Sequence, residues 1–346
     1  MALEVELDKK KLEFTDDKGK KVKVEVDSEL TDKEEEAFET DHHSNLAEEL
    51  SDQEVNSIGR DLVKAYQDDK SSRKDWEDQY SKGLKMLGVV VEDRQDPFPG
   101  ASGVHHPLLA EAATQFQARA IAELFPSGGP VKTQVIGKSS NKKIEQAQRV
   151  QDFMNWQVTN QITDYFNELD QLLFYLSLSG SAFKKIYFDN SLDRICSIFV
   201  PAEDFVISYD NTDLLTAERY TQVMKLSRNE IKRRQVEGFY KNVPLSKVES
   251  SGQTGDSVEQ TMERLQGITP SMSDKIHTIL EIHANLDLGE DENGLALPYI
   301  VTVDQDSTVV LAIRRNWKED DPLKRKRTYF IHYKYLPGLG FYGFGL

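Results

Sequence analysis

The sequence has a single cysteine, Cys196, among its 346 residues. One thiol cannot form an intramolecular disulfide, which excludes the small secreted scaffolds that disulfides stabilise. Because Cys196 stands in the apolar run "RICSIFV", we expect it to be a buried packing residue. The sequence also lacks any apolar stretch approaching the ~20 residues that span a bilayer, so we expect no membrane partner.

The sequence has no excess of basic residues. Its net charge is −16, of which residues 1–54 carry −11 and the remaining 292 residues −5. Sequence-specific nucleic-acid-binding proteins carry a strongly basic surface, so this class is disfavoured. Residues 1–54 contain few large apolar side chains, and we expect them to form a largely disordered acidic arm in which "VKVEV" is a candidate strand.

No nucleophile, base or metal ligand occurs with the spacing of a known catalytic site. The loop "GASG" places Ser102 between Gly100 and Gly103, one residue short of the G-x-S-x-G nucleophile turn. We therefore interpret Gly100 and Gly103 as a structural turn. His105 and His106 are adjacent, so on a helix their side chains diverge by about 100° and cannot grip one metal ion.

Gly338, Gly340 and Gly343 form a literal G-x-G-x-x-G pattern in "LPGLGFYGFGL". A dinucleotide-binding site requires a βαβ unit there, with the third glycine inside a helix. A predicted meander precedes this pattern and aromatic residues interrupt it, which favours a glycine hinge. A nucleotide-using enzyme remains one alternative, but we expect no cofactor, no metal and no enzymatic activity.

Hydrophobic periodicity predicts an α+β fold. An amphipathic helix follows Pro107, with Phe116 and Leu124 on its apolar stripe as packing residues. A long helical pattern from Asn141 to Leu178 has a break near residues 162–164, and its wide apolar face includes Phe153, Trp156 and Phe166.

The second half of the sequence favours strands. "GSAFKKIYF", "DNSL" and "DRICSIFV" predict a β-hairpin, and Ser227 with Glu230 has the spacing that begins a helix. From Ile276 onward, alternation predicts an antiparallel β-meander of about four strands. We divide the chain into an acidic arm, a mainly helical domain with short strands, a polar loop and a β-rich segment: 1–54, 55–240, 241–275 and 276–346.

One basic cluster stands out. Residues 314–327 contain seven Lys or Arg against three acidic residues, and four of the cations are consecutive: Lys324, Arg325, Lys326 and Arg327. Four adjacent cations cannot all pair internally, so some should face solvent or a partner. A solvated loop, a contact with DNA phosphates and a contact with an acidic protein all remain open.

Several stretches together resemble the portal protein, or head-to-tail connector, of tailed bacteriophages. They are "DPFPGASGVHHPLLAEAATQFQARAIAELFP", "GGPVKTQVIG", "PAEDFVISYD" and "YFIHYKYLPGLGFYGFGL". The resemblance runs from about Trp76 to Leu346, with little specificity over 241–275, and it depends on the order of the motifs. It does not account for the acidic arm.

The resemblance implies a portal-type fold, with a helical wing followed by strands that lead toward the stem and clip. It implies a ring, usually of twelve subunits, at one capsid vertex, assembled in the host cytoplasm and retained in the virion. The implied partners are the terminase motor, capsid or scaffolding protein, tail or adaptor proteins, and double-stranded DNA, which passes through the channel without sequence specificity. Lys324–Arg327 would then meet terminase or DNA.

The abrupt ending in "GLGFYGFGL" leads us to expect a longer protein, with the second stem helix and crown after Leu346. Another non-enzymatic virion ring or head–tail adaptor component is the alternative to a portal.

Overall fold

The computed structural model describes residues 12–15, 21–24, 41–87, 98–99, 106–189, 192–245, 276–291, 294–338 and 340–346. The helices are α1 (Asp52–Ser72), α2 (Lys74–Met86), α3 (Leu108–Leu124), α4 (Asn141–Trp156), α5 (Tyr165–Ser179) and α6 (Arg228–Val236). The strands are β1 (Leu12–Thr15), β2 (Lys21–Val24), β3 (Ser181–Asp189), β4 (Arg194–Pro201), β5 (Phe205–Val206), β6 (Arg219–Ser227), β7 (Ile276–Leu286), β8 (Leu297–Asp304), β9 (Val310–Arg315) and β10 (Phe330–Lys334). The predicted turn at Gly100 and Gly103 and most of the polar loop lie outside the described residues.

The chain has a mixed α+β architecture, as predicted, with antiparallel sheets. One sheet has the order β5-β6-β7-β8-β9, a second has the order β10-β3-β4, and β1 pairs with β2. Helix α1 covers the five-stranded sheet, while α2 packs near the three-stranded sheet and the C-terminal segment. Each of the two large sheets therefore packs with a helix that precedes it in the sequence.

Local signals in the sequence account for several of these elements. The predicted hairpin is present as β3 and β4, and Cys196 is buried within it. The Ser227 hydroxyl accepts a hydrogen bond from the Glu230 amide at 3.2 Å and begins α6. The predicted break near residues 162–164 is present as a bend and turn, which follow a π-helical segment at Gln157–Gln161 and precede α5.

The predicted four-stranded meander is wrong at its last strand. Strands β7, β8 and β9 form a meander, but β10 pairs with β3 in the other sheet, where Phe330 lies opposite Lys185. Strand β7 in turn pairs along β6, from Arg219 opposite Ala284 to Ser227 opposite Ile276. The boundary placed at residue 276 therefore does not separate two packing units, because strands from both sides of it share each sheet.

The end of the acidic arm is also corrected. Residues 41–54 belong to the folded body: Leu46 and Ala47 are buried in the core under α1. The Asn45 amide lies against the edge strand β9, donating to Leu311 O at 3.1 Å and accepting from the Ile313 amide at 2.9 Å. This side chain satisfies backbone groups that an open sheet edge would expose.

We predict that Asn45→Ala destabilises the fold by about 1–3 kcal/mol, because buried Leu311 O and the Ile313 amide lose their partner. Urea unfolding measures this difference. The matched control is Asn56→Ala on the exposed side of α1, which should stay within ~0.5 kcal/mol of wild type. Equal effects of the two changes would show that Asn45 does not secure the sheet edge.

Helix α3 packs on α5 through part of its predicted stripe. Phe116 contacts the cluster of α5 leucines, and its ring meets that of Tyr335 edge-on at 5.0 Å. Leu124, predicted as a packing residue, is instead 50 % exposed. The chain leaves the helix at Phe125, whose ring packs against Phe166 at 5.4 Å, and this leaves Leu124 outside the contact.

Candidate functional site

The basic loop before β10 alternates between inward and outward side chains. Lys324 Nζ donates to Glu290 O at 3.0 Å, and Lys326 Nζ donates to Ala217 O at 3.0 Å. Lys326 also lies 4.4 Å from the ring centroid of Tyr220, and burial lowers its pKa to about 8. Both lysines are thus engaged within the chain.

The two arginines of the cluster are exposed. Arg325 pairs with Asp321 at 2.9 Å across one turn of the loop, with its side chain 74 % exposed. Arg327 is exposed, although its guanidinium carbon lies 5.4 Å from the Tyr329 ring centroid. Of the four consecutive cations, only the two arginines therefore face outward.

A largely buried ionic network joins the two large sheets. Lys185 of β3 donates to Glu281 of β7, with Nζ 2.6 and 2.8 Å from its two carboxylate oxygens, and to Gln222 of β6 at 2.9 Å. His283 Nε2 lies 3.0 Å from Glu281 Oε1, and its ring stacks on Tyr220 at 4.8 Å.

The charges in this network compensate one another. Burial alone would raise the pKa of Glu281, but the Lys185 ammonium and the His283 hydrogen bond outweigh burial and lower it to about 2. Burial lowers the pKa of His283, which makes the ring neutral and Nε2–H the donor to the carboxylate. Within the described residues His283 Nδ1 has no hydrogen-bond partner. The geometry is that of a structural ion pair between sheets.

A second buried cation, Arg73, lies between α1 and α2 with its side chain 1 % exposed. Its Nη1 lies 2.9 Å from Ala202 O, 2.7 Å from Phe205 O and 2.9 Å from the Tyr342 hydroxyl, and Nη2 donates to Glu203 O at 2.7 Å. The guanidinium therefore connects three distant parts of the chain.

The C-terminal glycine pattern packs closely against other parts of the protein. The Gly343 amide donates to the Ser181 hydroxyl at 2.8 Å, and a Cβ added at Gly343 would lie 2.6 Å from Leu336 O. Phe341 and Tyr342 are buried beside it. Backbone atoms and aromatic rings therefore pack closely around this segment, which forms part of the core.

Helix α4 is the most unusual surface feature of the described residues: none of its residues is buried. Its packed face is polar. The Asn155 side chain bonds the backbone of Val131 in both directions, at 2.9 and 3.1 Å, and Gln151 accepts from the Thr133 amide at 3.1 Å. The predicted wide apolar face is thus divided: α5 buries its leucines, whereas Phe153 and Trp156 of α4 are 59 and 51 % exposed.

An open groove lies on the outer face of α3. Its cavity of about 450 Å³ is bounded by residues of α3 and of the C-terminal segment: Ala112, Gln115, Phe116, Arg119, Ala120, Glu123, Tyr335 and Leu346. Within the described part of the chain, Arg119 and Glu123 take part in no hydrogen bond or ion pair, although the groove places them one helical turn apart.

A scan against models of known protein families finds no match, and a search of curated proteins finds no similar sequence. In the described ranges, no cluster of three or more His, Cys, Asp or Glu could hold a metal ion. None of the helices described combines the length and apolar character that crossing a bilayer demands.

Sequence reasoning missed Arg73, Glu281 and the division of the basic cluster. Arg73 stands in the polar run "DDKSSRK", which predicts only a helix break. It pairs with Glu77 four residues on, but its other acceptors, three backbone carbonyls and the Tyr342 hydroxyl, are more than a hundred residues away. Glu281 does carry a signal: it is a charge in the otherwise alternating strand "IHTILEIHANL", where a partner from another element is required.

Proposed function

We propose that this chain is a ring-forming subunit of a tailed-bacteriophage portal, located at one vertex of the virion and assembled in the host cytoplasm. The proposal combines the resemblance in motif order with one structural observation. Helix α4 presents exposed Phe153 and Trp156 on a helix with no buried residue, which is typical of a surface that another protein covers.

The body of the protein fits a structural role. The charges of Arg73, Lys185 and Glu281 are each engaged with internal partners. A near-neutral body suits a DNA conduit, because a lumen that gripped phosphates would oppose sliding and charges act over only ~8 Å at physiological salt. We propose DNA in transit, terminase, capsid or scaffolding protein and tail or adaptor proteins as its partners, with no catalytic step and no cofactor.

The experiment is to image the purified chain by negative-stain electron microscopy and to weigh it by native mass spectrometry. A ring with a central hole, usually of twelve copies, is expected. A chain that stays monomeric at all concentrations would count against a ring. Thermal stabilisation by a nucleotide would instead support the enzyme alternative.

The outward arginines give a second test. We expect Arg325→Ser with Arg327→Ser to weaken docking of the terminase motor while leaving DNA binding unchanged, because a channel mouth that held DNA tightly would oppose translocation. The two bindings are measured separately on the assembled protein. The matched control is Lys324→Ser with Lys326→Ser, which removes the same charge from inward positions.

If the arginines contact DNA instead, the double change should lower the salt dependence of DNA binding by a log–log slope of about 1.8, at ~0.9 per phosphate, with motor docking unaffected. No change in either binding would make the loop a solvated surface.

A further inference from the structure

We infer that the exposed face of α4 in one copy docks into the groove on α3 of a second copy, with the two helices antiparallel. The inference rests on the proposed ring and names the contact that would build it. It follows from three features of the described residues: an unpartnered aromatic face, a groove with unpaired charges, and the order of charges on the two helices.

The aromatic face is a continuous stripe of α4. Asp152 and Phe153 lie three and four residues after Arg149, and Trp156 lies four and three residues after them, so the four side chains share one side of the helix. The rings of Phe153 and Trp156 lie 6.0 Å apart and form a single apolar ridge. The opposite side carries the polar contacts to residues 131–133, which hold the helix with its aromatic side outward.

The groove is matched to such a ridge in size and character. A cavity of about 450 Å³ accepts one or two aromatic side chains. The Phe116 and Tyr335 rings line it in edge-to-face contact at 5.0 Å, a contact that can extend to an entering ring. Ala112 and Ala120 on the same face allow the backbone of a second helix to approach closely.

The charges on α3 and α4 indicate which molecule fills the groove and in which direction its helix runs. Along α3 the groove presents Arg119 and then Glu123, and along α4 the ridge presents Arg149 and then Asp152. Parallel helices would place Arg119 against Arg149. Antiparallel helices place Arg119 against Asp152 and Glu123 against Arg149, which pairs both charges. Asp152 accepts one hydrogen bond, from Gln148 at 2.8 Å, and keeps acceptor sites for a partner.

A second copy of the chain is the partner that supplies this complement, because every copy carries both surfaces. The two surfaces are unlike, so the contact is heterologous: each copy uses its ridge on one neighbour and its groove on the other. Repetition of a heterologous contact closes into a ring when the rotation allows it.

The test uses the full chain and sedimentation analysis. Phe153→Ser with Trp156→Ser removes the ridge, and Ala112→Trp fills the groove at an exposed position. Each variant should weaken self-association about thirtyfold or more, the effect of losing a buried aromatic anchor worth ~2 kcal/mol. The matched control is Leu215→Ser with Val236→Ser, which removes two similarly exposed apolar side chains elsewhere and should change nothing.

Mixing the two variants separates this arrangement from others. Each retains the surface that the other lacks, so an equimolar mixture should form a 1:1 complex that grows no further. A charge exchange provides a second readout: Asp152→Lys should weaken assembly, and adding Arg119→Glu to the same chain should restore it.

The outcomes that overturn the inference differ from those that overturn the ring. If the wild-type chain assembles and the ridge and groove variants assemble equally well, this contact is wrong and the ring proposal stands. If both variants fail but their mixture forms no complex, the two surfaces do not meet each other. A wild-type chain that never self-associates removes both proposals.

Discussion

Replacing Arg73 by alanine is expected to destabilise the protein by about 4 kcal/mol, among the largest effects of any single change in the chain. The guanidinium is buried and contacts three backbone carbonyls, at 202, 203 and 205, and the Tyr342 hydroxyl. Removing it takes one hydrogen-bond donor from each of these groups, although Phe205 O keeps the Tyr342 hydroxyl as a donor, and it leaves Glu77 without its cation. An unsatisfied buried polar group costs ~1–3 kcal/mol. Against a typical total stability of ~5–15 kcal/mol, such a loss is severe.

Urea unfolding of a graded series tests this role. Arg73→Lys keeps the charge but loses the planar fork, so it should recover only part of the loss. Tyr342→Phe removes one acceptor and should cost about 1–2 kcal/mol. Arg60→Ala, a change at an exposed arginine on the preceding helix α1, is the control and should stay within ~0.5 kcal/mol. If Arg73→Ala matched this control, the guanidinium would not hold the body together.

The contrast between Arg73 and the β3–β4 hairpin shows which parts of the fold can be predicted from sequence. The hairpin follows from neighbouring residues, because "DNSL" favours a turn and the flanking residues favour strands. The role of Arg73 depends on carbonyl groups of residues 202–205, and no pattern in the sequence records which backbone groups will surround a given side chain.

The position of β10 illustrates the same limit. Its alternation predicts a strand correctly, but alternation gives no partner, and β10 pairs with β3 rather than with β9. Leu124 and Trp156 both belong to apolar patterns that predict packing, yet both are about half exposed. A pattern reports that a side chain is apolar, and only tertiary structure decides whether its own chain or another copy covers it.

The stability of the protein is expected to fall between pH 4.5 and 2 because of Glu281. The folded-state pKa of this carboxyl is about 2, against an ordinary value of 4.5. A carboxyl whose pKa is lower in the folded state stabilises folding above its unfolded pKa, and this contribution is lost as the pH falls toward the folded pKa. A difference of about 2.5 pKa units corresponds to roughly 3 kcal/mol.

Replacing Lys185 by methionine should therefore cost about 3–5 kcal/mol at pH 7, because it leaves the Glu281 carboxylate buried without its cation. Only His283 then opposes burial, so the pKa of Glu281 rises. Protonation relieves the loss, and the difference from wild type should shrink toward pH 3. Urea unfolding at several pH values measures it, with the exposed Lys64→Met as control.

Adding Glu281→Gln to Lys185→Met separates charge from shape. The double variant has no unpaired charge at this position, so at pH 7 it should be more stable than Lys185→Met alone even though it lacks the ion pair. The contrary result is a loss of stability in Lys185→Met that does not depend on pH and that Glu281→Gln does not relieve. It would mean that packing of the lysine side chain, and not its charge, holds the sheets together. The expected result would instead show that β3 and β7 pack together only when the charge of Glu281 is compensated by that of Lys185 or removed.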